Sequence, residues 1–211
     1  MPPPPTIRAK VVDVRSDTPK SSDVFYVDTN VWYWAAFPRF GLLPTGKQPR
    51  AHQLTDYPAF LMKALMAGAR LHYSPINFIE LASIIESAEF EIHGGRKVHG
   101  DKKTFRHNCA AGRQQVVASV KSAWRQVQAL GTCLPLKMQI GEKKIIGLMR
   151  DFQRDALDGY DLLALRQLKQ AKITRCITDD GDFAQVAGLN LFTANPNVLS
   201  EALANGQTLR R

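Results

Sequence analysis

The sequence predicts an α/β domain, a three-layer α/β/α sandwich around a mainly parallel sheet. Three observations carry that expectation. The run Val24-Phe-Tyr-Val27 is unbroken, apolar and rich in Val and aromatics, as suits a strand buried on both faces of a parallel sheet. Similar short runs at 70–74, 174–178 and 190–194 alternate with segments of helical pattern. Each of the first three runs ends abruptly in helix-capping residues: Asp28-Thr29-Asn30, Ser74-Pro75 and Thr178-Asp179-Asp180.

Taken in order, residues 1–22 mix prolines, charges and serines with little to bury beyond Val11 and Val12, and read as a flexible N-terminal tail. One domain then spans 23–205. Its first strand leads into an aromatic helix that Pro38 should end. A loop at 39–55 carries Gly, Pro and Lys. Asp56-Tyr57-Pro58 reads as a helix start, and Gly68 as its stop. After the second strand, Ser74 is a cap with Pro75 at the first helical position, and the helix runs on through Ile85.

From His93 to Arg113 the composition turns basic, with glycines and few apolar residues, so this stretch reads as a basic insertion in a loop outside the core. Val117, Val120, Trp124 and Val127 then keep helical spacing up to Gly131. Cys133 to Met138 reads as a third strand, placed by Pro135 at an edge or in a connector. Residues 142–157 read as a helix with Ile145, Ile146, Met149 and Phe152 on one side. A further helix covers 161–171 and a strand 174–178. A short helix follows the acidic turn at 179–182, then a strand at 190–194, a last helix at 196–204 and a C-terminal tail at 206–211.

Composition narrows the function classes. Lys and Arg number 28 against 19 Asp and Glu, for a formal charge of +9. That excess favours a polyanionic partner, nucleic acid first and a membrane surface second. Cys109, Cys133 and Cys176 are odd in number and far apart, which argues for reduced thiols and a cytoplasmic setting. The Met-Pro-Pro-Pro-Pro start has no apolar core of a leader, and no apolar run is long enough to span a bilayer. His93, His99, His107 and Cys109 fit no common zinc spacing.

The carboxylates carry the functional signal. Asp28 ends one strand, and Asp180 and Asp182 follow another, with Gly181 between them. Glu80 lies on a helix one turn from Ile76 and Ile84, and Asp161 lies one turn before Leu165. Acids among apolar neighbours need partners. Singly, each is readable as a helix cap or an exposed residue. If they converge, a divalent cation is the natural partner, because Mg²⁺ and Mn²⁺ prefer carboxylate and water oxygens.

The order of these motifs resembles the PIN-domain nucleases, which include the toxin ribonucleases of toxin–antitoxin pairs. An apolar strand ending in Asp28-Thr29-Asn30 looks like the first motif of that family, and Asn77-Phe-Ile-Glu80-Leu like the second. Asp161-Leu-Leu-Ala-Leu and Thr178-Asp-Asp180-Gly-Asp182-Phe183 look like the third and fourth. The resemblance implies metal-dependent hydrolysis of phosphodiesters, usually in RNA. Asp28, Glu80, Asp161 and Asp180 would be catalytic metal ligands with Asp182 beside them, and Mg²⁺ or Mn²⁺ the cofactor. Thr29, Asn30 and Thr178 would orient carboxylates or bind phosphate. Arg96, Lys97, Lys102, Lys103 and Arg106 are the candidate nucleic-acid contacts. An antitoxin protein and a homodimer are the candidate protein partners. Compared with the small toxins, this chain has extra material at its N-terminus, at 39–55 and at 93–113. The competing reading is a catalytically silent domain of the same fold that binds RNA or protein. An aspartyl-phosphate phosphatase ranks lower, since its Asp-x-Asp-x-Thr signature is absent after Val27.

Overall fold

The computed structural model describes residues 7–135, 142–154 and 156–211. Six parallel strands form one sheet in the order β1-β6-β5-β2-β3-β4. They are β1 (Lys10–Asp13), β2 (Val24–Val27), β3 (Arg70–Tyr73), β4 (Thr132–Cys133), β5 (Arg175–Ile177) and β6 (Asn190–Thr193). Successive side chains of a strand point to opposite faces. Accordingly Val12, Phe25, Val27, Ile177 and Phe192 face one core, while Val11, Tyr26, Cys176 and Leu191 face the other.

Helices cover both faces. The first core is closed by α1 (Thr29–Ala36), α2 (Ala51–Met66), α3 (Pro75–Ile92) and α6 (Ala110–Leu130). The second is closed by α8 (Gly159–Ala171) and α9 (Pro196–Ala204). The result is an α/β/α sandwich. No described helix is long and apolar enough to cross a membrane. From β2 the chain moves outward to β3 and β4. From β5, on the other side of β2, it moves outward to β6. A crevice opens at the carboxyl ends of strands where the winding reverses in this way.

Several elements depart from the sequence reading. Residues 7–22 are docked: Lys10–Asp13 pair in parallel with β6, and Ile7, Ala9, Val11, Val12 and Val14 are buried. The C-terminal residues lie against the outer edge of β1. Val11 N donates to Gln207 O (2.9 Å) and Leu209 N to Val11 O (2.8 Å). The last residue, Arg211, closes on Asp17 and Asp23 at 2.7–3.0 Å. Covering an edge strand in this way satisfies groups that would otherwise invite pairing with another chain.

The second helix starts at Ala51, with Arg50 N donating to Gln53 Oε1 (2.8 Å), so Pro58 lies inside it. The basic stretch is helical as α4 (Gly95–His99), α5 (Lys102–Asn108) and the start of α6. It folds around Phe105, fully buried against Phe90 and Val116. Burying one such ring contributes roughly 1.5–3 kcal/mol. A Cβ on Gly112 would lie 2.3 Å from that ring, so the close approach of α5 to α6 needs glycine there. Of the third strand expected over Cys133 to Met138, Cys133 pairs with β3 together with Thr132 before it, and residues 136–138 lie outside the described residues. The helix expected over 142–157, α7 (Glu142–Arg154), ends before Leu157.

Candidate metal centre at the carboxyl ends of the strands

Asp28 is the first residue after β2 and caps α1. Its Oδ1 accepts from Thr29 N (2.6 Å), and its Oδ2 accepts from Thr178 Oγ1 (2.7 Å). Thr178 is beside it because β5 pairs with β2 in the register Val27 to Ile177. The same Thr178 hydroxyl accepts from Asp180 N (2.9 Å), and Asp180 Oδ1 accepts from Asp182 N (2.8 Å). Thr178 thus ties both strand-end acids into one turn.

Glu80 arrives from the second turn of α3, and Thr29 Oγ1 donates to its Oε2. Thr29 in turn accepts from Asn77 Nδ2 (2.8 Å), whose Oδ1 accepts from Ser74 N (2.6 Å). Asp161 comes from the first turn of α8. That turn is capped by Asp158 Oδ1, which accepts from Tyr160 N (2.8 Å) and Asp161 N (2.9 Å). Carboxylate oxygens of Asp161, Asp180 and Asp182 lie within 4.8 Å of one another. Asn30 makes no hydrogen bond to these acids among the described residues.

The electrostatics tie all five acids together. Burial lifts the Asp28 carboxyl to about 7, and the charges of Glu80 and Asp180 add to the rise against the bonds from Thr178 and Thr29. Burial lifts Asp161 to about 8, with Asp28, Asp158, Asp180 and Glu80 all pushing the same way. Burial also raises Glu80, against the bond from Thr29, and raises Asp182, with help from Asp180 and Asp158. An all-carboxylate donor set of this kind fits Mg²⁺ or Mn²⁺ and is poorly matched to thiophilic metals.

Two acids in the site region were not singled out from sequence. Asp158 belongs to the cluster; its signal was its place in Asp158-Gly-Tyr-Asp161, a second acid at the same helix start. Asp179 points the other way. Its Oδ1 accepts from Tyr57 Oη (2.6 Å) and its Oδ2 from Gln53 Nε2 (2.8 Å), with His52 Nε2 at 3.4 Å. Its carbonyl accepts from Asn195 Nδ2 (2.7 Å). Asp179 therefore pins the acidic loop to α2 and leaves Asp180 and Asp182 to face Asp161.

The basic residues do not surround this site. Arg96 and Lys97 lie past the C-terminal end of α3, whose last residue Ile92 is about 18 Å from Glu80 at 1.5 Å per residue, while Lys102, Lys103 and Arg106 on α5 come back beside its C-terminal half, where Lys102 Nζ donates to Ser87 Oγ (3.0 Å). Arg106 is engaged there, since its Nε donates to Glu86 Oε1 (2.7 Å). Arg96, Lys97 and Lys102 line a cleft of about 920 Å³ with Lys47.

The raised carboxyls set a pH dependence. In the unfolded chain Asp28 and Asp161 ionise near 3.9. In the folded, metal-free chain they hold protons up to about 7 and about 8. Between those limits the folded state binds more protons, so stability falls as pH rises. The metal-free protein is expected to melt at a lower temperature at pH 8.5 than at pH 5.5. Mn²⁺ should restore part of the loss, and Asp161→Asn should flatten the profile. A melting temperature independent of pH over this range in EDTA, for the unsubstituted chain, contradicts a crowded carboxylate cluster.

No family model matches the chain, and no curated protein matches it.

Proposed function

We propose that the chain is a divalent-metal-dependent nuclease that hydrolyses phosphodiester bonds, with RNA as its substrate. The observation that supports this most is the convergence of acids from four separate segments on one strand-end crevice, where Asp161, Asp180 and Asp182 oxygens come within 4.8 Å. Asp28 and Asp180 would hold a cation most directly, with Glu80, Asp161 and Asp182 completing its surroundings. A divalent cation bound there would polarise a phosphate oxygen and ease deprotonation of the attacking water. Thr29 and Thr178 keep Glu80 and Asp28 in fixed orientations, so the site needs little rearrangement to engage a ligand. The formal charge of +9 supports an anionic polymer as substrate.

The test is cleavage of labelled RNA and DNA oligonucleotides with Mg²⁺ or Mn²⁺, with EDTA as the control. Cleavage of RNA that stops in EDTA is the expected result. Binding without cleavage under any of these metals would leave the silent binding domain as the reading.

The cleft beside the C-terminal half of α3 supports a phosphate track that runs away from the bond that is cut. Neutralising Arg96, Lys97, Lys102 and Lys103 together is expected to weaken binding of long single-stranded RNA. It should lower the slope of log affinity against log salt by up to about 3, since each phosphate contact contributes about 0.7. A dinucleotide has only the phosphate that is cut and none to place on the track, so its cleavage should be unaffected. An unchanged slope assigns these side chains to bulk solvent. Arg106 is left in place because its removal strands the Glu86 carboxylate.

A further inference from the structure

Away from the carboxylates, α3 and α6 run antiparallel and leave a groove of about 760 Å³ on their outer side. Its floor is aliphatic, made by Ala82, Val116 and Val120, and the Phe78–Trp124 pair closes one end edge-to-face at 5.1 Å. Phe78 is 42 % exposed and Val117 36 %, and Ile79 beside them is 55 % exposed. This is a contiguous apolar surface and not scattered exposure, the kind of patch that marks an interaction site.

The charge around it is one-sided. Arg106, Arg113, Lys121 and Arg125 all border the groove, against a single acid, Glu86. Glu86 is taken up by Arg106 and by Arg113 (3.6 Å). Lys121 and Arg125 are exposed, have no ion-pair partner among the described residues, and stand one helical turn apart on the α6 flank. The α3 flank opposite, at Ile79 and Ser83, carries no charge. The surface from Arg113 to Gln128 is about 22 Å long, the length of four helical turns.

We propose that this groove docks an amphipathic helix of a partner protein, about four turns long, with an apolar stripe on the floor and acidic residues at i and i+4 facing Lys121 and Arg125. Helix-in-groove recognition of this kind places apolar anchors at i, i+3/i+4 and i+7. The charge pattern sets the orientation and excludes wrong partners more than it adds raw affinity. A second copy of the chain is a poor occupant. Its own exposed apolar helix, α7, presents Ile145, Ile146, Met149 and Phe152, but its acids Glu142 and Asp151 are not one turn apart and Asp151 is already taken by Arg154 (3.0 Å) and Arg166 (2.7 Å), so it offers no acid pair to Lys121 and Arg125. Single-stranded nucleic acid is also a poor match, because stacking needs aromatic faces along the track, whereas Phe78 and Trp124 stand at one end only, edge-to-face on each other, and the floor between the basic residues is aliphatic. The inference does not depend on the nuclease reading.

The test uses the full chain and a labelled, helix-stapled peptide of about four turns with a leucine stripe and a glutamate flank. Its counterpart carries lysine in place of glutamate. The glutamate peptide is expected to bind at least about tenfold more tightly, with a Kd below about 100 μM, and to alter Trp124 emission. The double substitution Lys121→Glu and Arg125→Glu should invert that preference. Val117→Asp, at a half-exposed position, should weaken both peptides about tenfold with the circular dichroism spectrum unchanged. Equal binding of the two peptides, or none below about 1 mM, overturns the proposal. So does a single-stranded RNA whose binding is lost in the Lys121/Arg125 variant, which would make the groove a nucleic-acid site. Sedimentation showing a dimer that Val117→Asp splits into monomers would make it a self-interface, and overturns the proposal equally.

Discussion

With Mg²⁺ or Mn²⁺ present, Asp28→Asn is expected to fold and to lose RNA cleavage by on the order of 10³-fold, about 4 kcal/mol of transition-state stabilisation. Asn has the size of Asp and can still accept from Thr29 N and bond with Thr178 Oγ1, so the turn holding the site survives. What it lacks is the negative charge that a cation needs at the centre of the crevice. The same substitution removes a carboxyl held at about 7 by burial and by its acidic neighbours. The metal-free variant should therefore be more stable than the parent at pH 8.5, with a gain that shrinks as pH falls and vanishes below about 3.9, where Asp28 is protonated in both the folded and the unfolded chain. Loss of cleavage together with a gain in thermal stability separates a missing ligand from a damaged fold. Full activity of Asp28→Asn in Mn²⁺ would falsify the assignment of this residue to the metal site.

Arg211→Ala is expected to give the largest loss of stability of any single polar substitution in the chain. The Arg211 guanidinium makes paired hydrogen bonds to Asp17 (2.7 and 3.0 Å) and two bonds of 2.8 Å to Asp23. It also lies 4.6 Å from the Phe192 ring centre and 5.9 Å from that of Phe25. Both carboxylates are 1 % exposed, and Arg175 reaches Asp23 only at 3.5 Å. Removing the guanidinium leaves two buried charges without adequate compensation, which costs about 3–5 kcal/mol. For a chain of this length that corresponds to a fall of roughly 6–20 °C in melting temperature. Arg211→Lys keeps the charge and loses the fork, so an intermediate fall is expected.

The acid side of this clamp has its own sign. Burial raises Asp23, but the bonds from Arg211 and Lys20 N and the charges of Arg211 and Arg175 outweigh it, so its pKa lies below the usual value. The stability it contributes is present above the ordinary carboxylate pKa and is lost as pH falls through the lowered one. Acid unfolding of Arg211→Ala should accordingly begin at higher pH than that of the parent. A drop in melting temperature under about 2 °C would show that the clamp is incidental to the fold.

The sandwich was legible because a strand buried on both faces leaves an unbroken apolar run, and because local capping chemistry marks where it stops. Val24–Val27, Asp28, Ser74-Pro75 and Pro196 are signals of that local kind. The acids Asp28, Glu80, Asp161, Asp180 and Asp182 stood out for the same reason: each sits at an element end or beside apolar residues. Edges and long-range partners were not legible. β1 is held by β6 and by a C-terminal segment almost 200 residues away, and nothing in Lys10–Asp13 encodes either. α5 starts at its Asp101 cap and is held in place because Phe105 finds Phe90 and Val116, a partnership its basic pattern does not show. Asp179 and Asp180 are adjacent and similar in sequence. Only Tyr57 and Gln53, more than 120 residues earlier, turn one toward α2 and leave the other for the crevice. The turn from α3 into α4 and α5 likewise placed the basic segment beside the C-terminal half of α3, not at the strand ends. Sequence by itself determined the central strands and where β2, β3 and β5 stop, because those depend on solvation and short-range backbone bonds. Tertiary structure alone decided which charges meet, because Coulomb and hydrogen-bond energies depend on distances that only the folded chain defines.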